Sequence, residues 1–343
     1  MDQNKRMETM KRIRTFQIIL VFVFISTSIF AEERRKVAQT GFQFLSIISD
    51  AKAAGMAGAV NTMPMGSSSL FFNPAVMADM SGFIDMTASQ NQWISDIRHN
   101  AFSLAVKPKS GQWGVFGVSV QSVDYGEVLG TVVDAGNPEG YHDTGTIEPT
   151  ALAIGIGYAK SLSDRFSVGG QVRWVKQDLG SSIVPVADND STTQKVLNEL
   201  TPVAFDFGTL FKTGIKSLAF GMSIRNFSKD IKYADEGFQL PLVFTIGVSM
   251  DMMDLFEISG PDQSLYLSVD ATHYRSHPEQ LIIGLDYTLM SLLSIRTGYV
   301  TSNDENGLNF GVGISYFGVT FDYAYAPFGL FDKVQRMTIR FAM

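Results

Sequence analysis

From about Phe83 to the last residue, large apolar positions alternate with small or polar ones at a period of two. Val203, Phe205, Phe207 and Phe211 fall on one side of an extended segment, with Ala204, Asp206 and Gly208 on the other. Leu152, Ile154, Ile156 and Tyr158 alternate with Ala153, Gly155, Gly157 and Ala159. Leu281, Ile283, Leu285 and Tyr287 alternate with Ile282, Gly284, Asp286 and Thr288. Val319, Phe321, Tyr323 and Tyr325 do the same against Thr320, Asp322, Ala324 and Ala326. A period of two belongs to strands, and segments of about 9–11 residues are long enough to cross a bilayer when tilted. The pattern predicts roughly fourteen strands, at 83–92, 98–107, 111–124, 148–161, 165–178, 202–211, 217–226, 241–250, 264–274, 279–289, 292–300, 306–316, 318–326 and 335–343.

The two faces of these strands separate a membrane barrel from a soluble sandwich. A sandwich buries its apolar face and puts long charged side chains outside. Here the second face is Gly, Ala, Ser, Thr and Asp, which suits a lumen, while the large apolar face suits lipid. Trp93, Tyr125, Tyr158, Tyr274, Tyr287, Tyr299 and Tyr316 lie near strand ends, where aromatic girdles form. Short turns at 107–110, 161–164, 213–216 and 317–318 alternate with long polar insertions at 126–147, 179–201 and 227–240. The predicted fold is therefore all-β: an up-and-down antiparallel barrel with short periplasmic turns, long outer loops and both termini at the periplasmic end. The stretch between Met250 and Ser264 is long where a short turn is expected, and a short helix at Met252–Phe256 is its one readable feature.

The first 81 residues do not follow the alternation. Lys5, Arg6, Lys11, Arg12 and Arg14 precede an apolar run from Phe16 to Phe30, after which Ala31 leads into Glu32-Glu33-Arg34. Basic, apolar, small and polar in that order predicts a secretory signal peptide over 1–31, cut after Ala31. Its apolar core is too short for a membrane-spanning helix. Residues 32–81 form a separate N-terminal segment, and 82–343 the barrel. The run Asp50 to Ala59 consists mostly of small residues, including Ala54, Gly55 and Gly58 on either side of Met56, which permit close backbone packing inside a lumen. Asn73-Pro74 predicts a turn into the first strand, because proline holds the preceding residue extended and the Asn side chain bonds nearby backbone.

Composition narrows the chemistry. The chain carries 27 basic and 34 acidic residues, and removing 1–31 takes away five and two, leaving 22 against 32. An acidic protein of this kind is a poor binder of nucleic acid. With no cysteine, disulfides and thiolate metal sites are excluded. The four histidines form no catalytic constellation, and His273 and His277 sit at a strand end and loop, where their spacing does not make a metal site. Asp124, Glu127, Asp134, Asp143 and Glu148 read as a solvated acidic loop rather than a calcium site. Asp206, Asp270, Asp286 and Asp322, with Arg173, Arg225, Arg296 and Arg340, fall on the lumen side as structural charges. No catalytic, cofactor or metal residue is assigned, and the chain is not expected to be an enzyme.

Stretches near both ends carry a family resemblance. Phe44-Leu45 through Asp50-Ala51-Lys52-Ala53-Ala54-Gly55-Met56-Ala57-Gly58-Ala59, followed by Ser67 to Asn73-Pro74-Ala75, resembles the N-terminal signature of the PorV/PorQ family, within the wider group of barrels like the fatty-acid transporter FadL. Asp322 to Gly329 and Gln335 to Phe341 look like that family's final hairpin, and Leu292 to Tyr299 is similar to the segment before it. The sequence departs at Asn61 to Gly66, where the family commonly has acidic residues. The resemblance implies a barrel of fourteen strands whose N-terminal segment enters the lumen as a plug. It also implies outer-membrane lipid around the wall and a secreted-protein or type IX secretion partner. The alternative it implies is a FadL-like channel for hydrophobic small molecules.

Overall fold

A computed structural model describes residues 40–134, 136–186, 189–233, 237–256, 263–276, 278–301, 307–328 and 331–343. The expected signal peptide lies outside the described residues. In chain order the strands are β1 (Ile84–Gln92), β2 (Arg98–Val106), β3 (Val115–Asp124), β4 (Val128–Val133), β5 (Tyr141–Ile147), β6 (Thr150–Ser161), β7 (Phe166–Val186), β8 (Asn189–Leu200), β9 (Val203–Lys212) and β10 (Ala219–Phe227). They continue with β11 (Ile231–Lys232), β12 (Gly237–Phe238), β13 (Val243–Asp251), β14 (Gln263–Tyr274), β15 (Gln280–Leu289), β16 (Leu293–Val300), β17 (Leu308–Tyr316), β18 (Val319–Phe328) and β19 (Phe331–Ala342).

Fourteen of these strands close into an antiparallel barrel. The wall runs β1-β2-β3-β6-β7-β9-β10-β13 and on through β19, which returns to β1. That seam is in register from Asp85↔Ala342 to Gln92↔Gln335. Closure leaves the wall no free edge, so its backbone groups are paired within the sheet, as a lipid environment demands. Among the described residues no helix is long and apolar enough to cross a membrane. The crossing elements are the strands.

The alternation in the sequence becomes an inside and an outside. Along β6 exposed and buried residues alternate from Thr150 to Ala159, with Ile154, Ile156 and Tyr158 pointing outward. On β9, Phe205 and Phe207 face out while Ala204 and Asp206 are fully buried. Ser103, Ser119, Gln171, Asp270, Asp286, Asp322 and Thr338 are buried on the inner side. The turns after β2, β6, β9, β15 and β17 and the α2 helix (Met252–Phe256) lie at one end with the C-terminus, and the long connections lie at the other. We call these the short-turn end and the long-loop end. Helix α2 occupies the place read from the sequence; the residues after it, 257–262, lie outside the described set.

Two features differ from the sequence reading. β7 runs 21 residues and, beyond Gln177, pairs with β8 as a hairpin rising past the wall. The sequence reads as a long polar loop from Leu179 to Thr201, because a hairpin beyond the wall has no alternating lipid and lumen faces to mark it. Similarly, β4 and β5 pair within the 126–147 connection. The described chain starts at the long-loop end. Thr40 forms a parallel bridge to Gln239 in the long connection between β10 and β13. Phe42, Phe44 and Leu45 pack there with Val123, Ala151, Ala204 and Leu240, the residues at the long-loop ends of their strands. The first described residue is therefore at the end opposite the C-terminus; the expected N-terminus of the mature chain lies outside the described residues. Apolar packing of this Phe-rich stretch under the long loops accounts for the placement of Thr40.

Candidate functional site

Residues 40–80 lie within the ring of strands, and each local turn has a sequence cause. The Asp50 side chain caps the helix α1 (Ala51–Gly55) by accepting from Ala53 N at 3.1 Å. The chain then reverses through Ala57 and Gly58, both at positive φ. Gly58 tolerates its φ of 96° because it lacks a Cβ. Further on, Asn73 Oδ1 accepts from Ala75 N at 3.1 Å, while Pro74 opens a short helical turn over Pro74–Asp79. The Asn73 amide also donates to Asn61 O at 2.8 Å and to Thr209 O on β9 at 3.0 Å.

This inner segment touches every one of the fourteen wall strands. Ser67 bonds Asp85 on β1 and Ser103 on β2. Leu70 lies against Gly117 on β3 and Gly157 on β6, and Pro74 against Gly169 on β7. Asn73 reaches β9, and Asn61 donates to Gly221 O on β10 at 2.9 Å. Thr62 bonds Ser249 on β13, and Asn61 N donates to Asp270 on β14 at 2.9 Å. Met56 meets Gly284 on β15 and Gly298 on β16, and Gly55 meets Gly311 on β17. Ala51 and Ala54 pack on Ala324 of β18, and Ala51 N donates to Thr338 of β19 at 2.8 Å. A Cβ on Gly55 would sit 2.9 Å from the Gly311 Cα, and one on Gly298 would overlap the Met56 backbone. Small residues on both sides are what allow this approach.

Two buried charge clusters flank the segment. In the first, Arg296 contacts Asp286 at 3.0 Å and Asp322 at 2.6 Å, and Lys52 of α1 reaches Asp286 at 3.4 Å. Beside it Arg340 pairs with Asp50 at 3.2 Å, and Ser68 donates to the same carboxylate. In the second, Arg173 contacts Asp206 at 2.8 Å and donates to its other oxygen at 2.9 Å. Gln171 and the Asn226 backbone N–H also donate to Asp206, and Arg173 donates to Asn226. Of the charges read as lumenal, Arg225 instead donates to Phe71 O at 2.5 Å, near Asp270. Lys52 and Arg336 are lumenal charges that the sequence reading does not single out. Arg336 donates to Ile48 O at 3.0 Å and lies over the Trp93 ring. A lone lysine within a run of small residues is the signal that could have found Lys52.

Against β10, β13, β14 and β15 the segment leaves a cavity of about 30 Å³ bordered by Ser223, Arg225, Thr245, Asp270, Thr272 and Tyr274 among others. That is room for about two waters. Elsewhere, His273 pairs with Glu279 at 2.9 Å, while His277 lies outside the described residues. Asp134 lies 3.6 Å from His142, and among the described residues no three acidic, His or Cys side chains form a group fit for a metal ion.

Solved structures with this architecture are outer-membrane channels. The "CymD monoaromatic hydrocarbon channel" aligns with a TM-score of 0.56 and 12% identity, over 86% of this chain and 97% of its own. The toluene transporter TodX of Pseudomonas putida gives 0.52 and 11%, over 84% and 95%. A FadL homologue of Pseudomonas aeruginosa gives 0.52 and 12%, over 86% and 98%. Identities this low establish the fold alone. Among curated proteins none matches by sequence. Residues 30–258, however, match the family described as type IX secretion system protein PorV. This chain, an outer-membrane β-barrel of the FadL type, thus belongs to the PorV family of type IX secretion system proteins.

Proposed function

We propose that this protein receives exported proteins at its long-loop end, as part of a type IX-like secretion system, over a lumen closed by its own N-terminal segment. The observation that carries this reading is the unbroken ring of contacts between residues 40–80 and the fourteen wall strands. A conduit for hydrophobic molecules needs an apolar pocket of about 300–1,000 Å³. The cavity beside Arg225 and Asp270 is far smaller, and its lining mixes those charges with apolar side chains such as Phe72 and Ile282. Ala54, Gly55, Met56, Gly58, Asn73 and Pro74 act in this proposal as a plug motif. The small residues set the approach to the wall, and the Asn-Pro turn directs the chain toward β1. Residues 1–31 serve as the export signal, so the mature protein begins at Glu32, which N-terminal sequencing checks. Protein partners then engage surfaces beyond the wall, where the long connections stand clear of lipid.

The experiment is a comparison of export and uptake in the host lacking this chain. Secretion cargo is expected to accumulate in the periplasm while uptake of a labelled fatty acid or aromatic hydrocarbon stays unchanged. Normal export with lost uptake would overturn the reading in favour of the channel.

A further inference from the structure

We propose that Asn91, His99 and Arg336 form a binding site for a small monovalent anion, a halide or a single carboxylate group, just inside the long-loop end of the lumen. The site is independent of the secretion reading above. The register places Asn91 on β1 directly between His99 on β2 and Arg336 on β19. Residues opposed in this way on one face of antiparallel strands bring their Cβ atoms within about 4.5–5.5 Å of each other. All three point inward and are buried, at 1%, 8% and 3% exposure. Trp93, two residues on from Asn91, lies beside them. The Arg336 guanidinium sits 5.4 Å from its ring centre, and the His99 ring meets it edge-on at 6.1 Å. On the lumen side, the Ile48 carbonyl of the inner segment accepts from Arg336 Nε at 3.0 Å.

Charge sets this cluster apart from the rest of the lumen. Arg173, Arg296 and Arg340 each meet a carboxylate within 3.2 Å, and Arg225 borders the same cavity as Asp270. Among the described residues no carboxylate pairs with Arg336, and its two outer nitrogens have no acceptor. Asp50, two residues beyond Ile48, is already held by Arg340 and Ser68. Next to Arg336, neither polar atom of the Asn91 amide has a partner. A buried guanidinium without counter-charge and a buried amide without hydrogen bonds are both costly. A single anion answers both, accepting charge-assisted bonds from the outer Arg336 nitrogens and a further bond from Asn91 Nδ2. His99 adds a ring N–H on the other side of Asn91. Trp93 and Ile48 bound the place, so the occupant is one small ion or one carboxylate head.

The test uses the full chain in lipid nanodiscs, with iodide, a quencher of tryptophan fluorescence, as the probe. The chain has three tryptophans, and Trp113 and Trp174 are 56% and 49% exposed on the outside of the barrel. Changing these two to Phe leaves Trp93 as the reporter. At constant ionic strength iodide is expected to quench Trp93 along a saturating curve, and acetate or chloride to relieve the quenching by competition. Stronger relief by acetate assigns the site to a carboxylate, and stronger relief by chloride to a halide. Arg336→Gln and Asn91→Leu should each remove the saturating phase and leave a linear, collisional one. Arg336→Lys keeps the charge but not the planar fork, and should weaken binding about tenfold instead of abolishing it. Lys176→Gln, a half-exposed charge on β7, should change nothing. Resistance of the barrel to SDS before heating shows which variants fold; if Arg336→Gln does not, Asn91→Leu, which removes no charge, decides. Linear quenching in the parent chain, no competition by either anion, or a saturating phase that survives in a folded variant lacking Arg336 or Asn91 would overturn the proposal.

Discussion

The two buried charge clusters use similar residues to different ends. Around Arg173 the wall is complete in itself: one guanidinium meets the Asp206 carboxylate, and Gln171 and Asn226 add donors, all from the wall. The inner segment contributes only the Leu70 carbonyl, accepting from Gln171 at 3.2 Å. Around Arg296 the wall supplies two carboxylates and one guanidinium, and Lys52 from the inner segment brings the second positive charge. Asp50 and Arg340 repeat the pattern nearby, again one partner from each side. The segment is thus joined to β15 and β19 side chains through buried ion pairs, and to β9 and β10 by packing and hydrogen bonds without an ion pair. Buried charges need partners far more than they need any particular packing, so the ion-paired strands decide where the segment sits.

The largest effect should come from removing the segment. A chain lacking residues 41–65 is expected to show sharply raised conductance in planar bilayers, since Gly and Ala on the wall leave the lumen unfilled. Unchanged conductance would place the seal elsewhere. Next, Lys52→Met leaves the carboxylates of Asp286 and Asp322 with only Arg296, at a cost of roughly 3 kcal/mol. It should also leak, and Asp286→Asn added to it should restore both. Arg173→Met should destabilise by a comparable amount in denaturant titrations but without a leak, because that cluster does not hold the segment. Equal leakage from the two variants would break the comparison.

Smaller effects sharpen the contrast between inside and outside. Phe205→Arg or Ile283→Arg, on the lipid face, should cost about 2–4 kcal/mol in refolding into bilayers. Glu199→Gln removes a pair with Lys176 at 2.9 Å that is nearly half-exposed on both sides. It should change stability by about 0.5 kcal/mol, less at high salt.

How much of this was legible in the sequence depended on what each region faces. Wall strands such as β6 and β9 declare themselves because lipid and lumen demand opposite side chains at successive positions. The β7–β8 hairpin extends past the closed wall, so Ser181, Ser182 and Asn198 follow no alternation, and the sequence there reads as a polar loop. The small-residue run at Ala51–Ala59 was legible as tight packing, and Asn73-Pro74 as a turn. Which wall residues they meet was not, because contacts such as Gly55 with Gly311 join positions distant in the chain. Nor was the position of Thr40, which depends on an aromatic cluster assembled from several loops.

The seam between β1 and β19 also sets an order of events. Ile48, Asp50 and Ala51, from the first part of the described chain, are bonded to Arg336, Arg340 and Thr338 on the last strand. The segment runs from the long-loop end to the short-turn end, with Phe42, Phe44, Phe71 and Phe72 along it. Threading such a chain through a finished ring would require the wall to open again. The ring must instead shut around a segment already laid against its strands, much as staves are drawn up around a core. Assembly then waits for the final strand to be made, and contacts of such long sequence separation form slowly. Errors in the segment would accordingly surface as barrels that fail to shut, on the time scale of insertion, as well as barrels that leak once made.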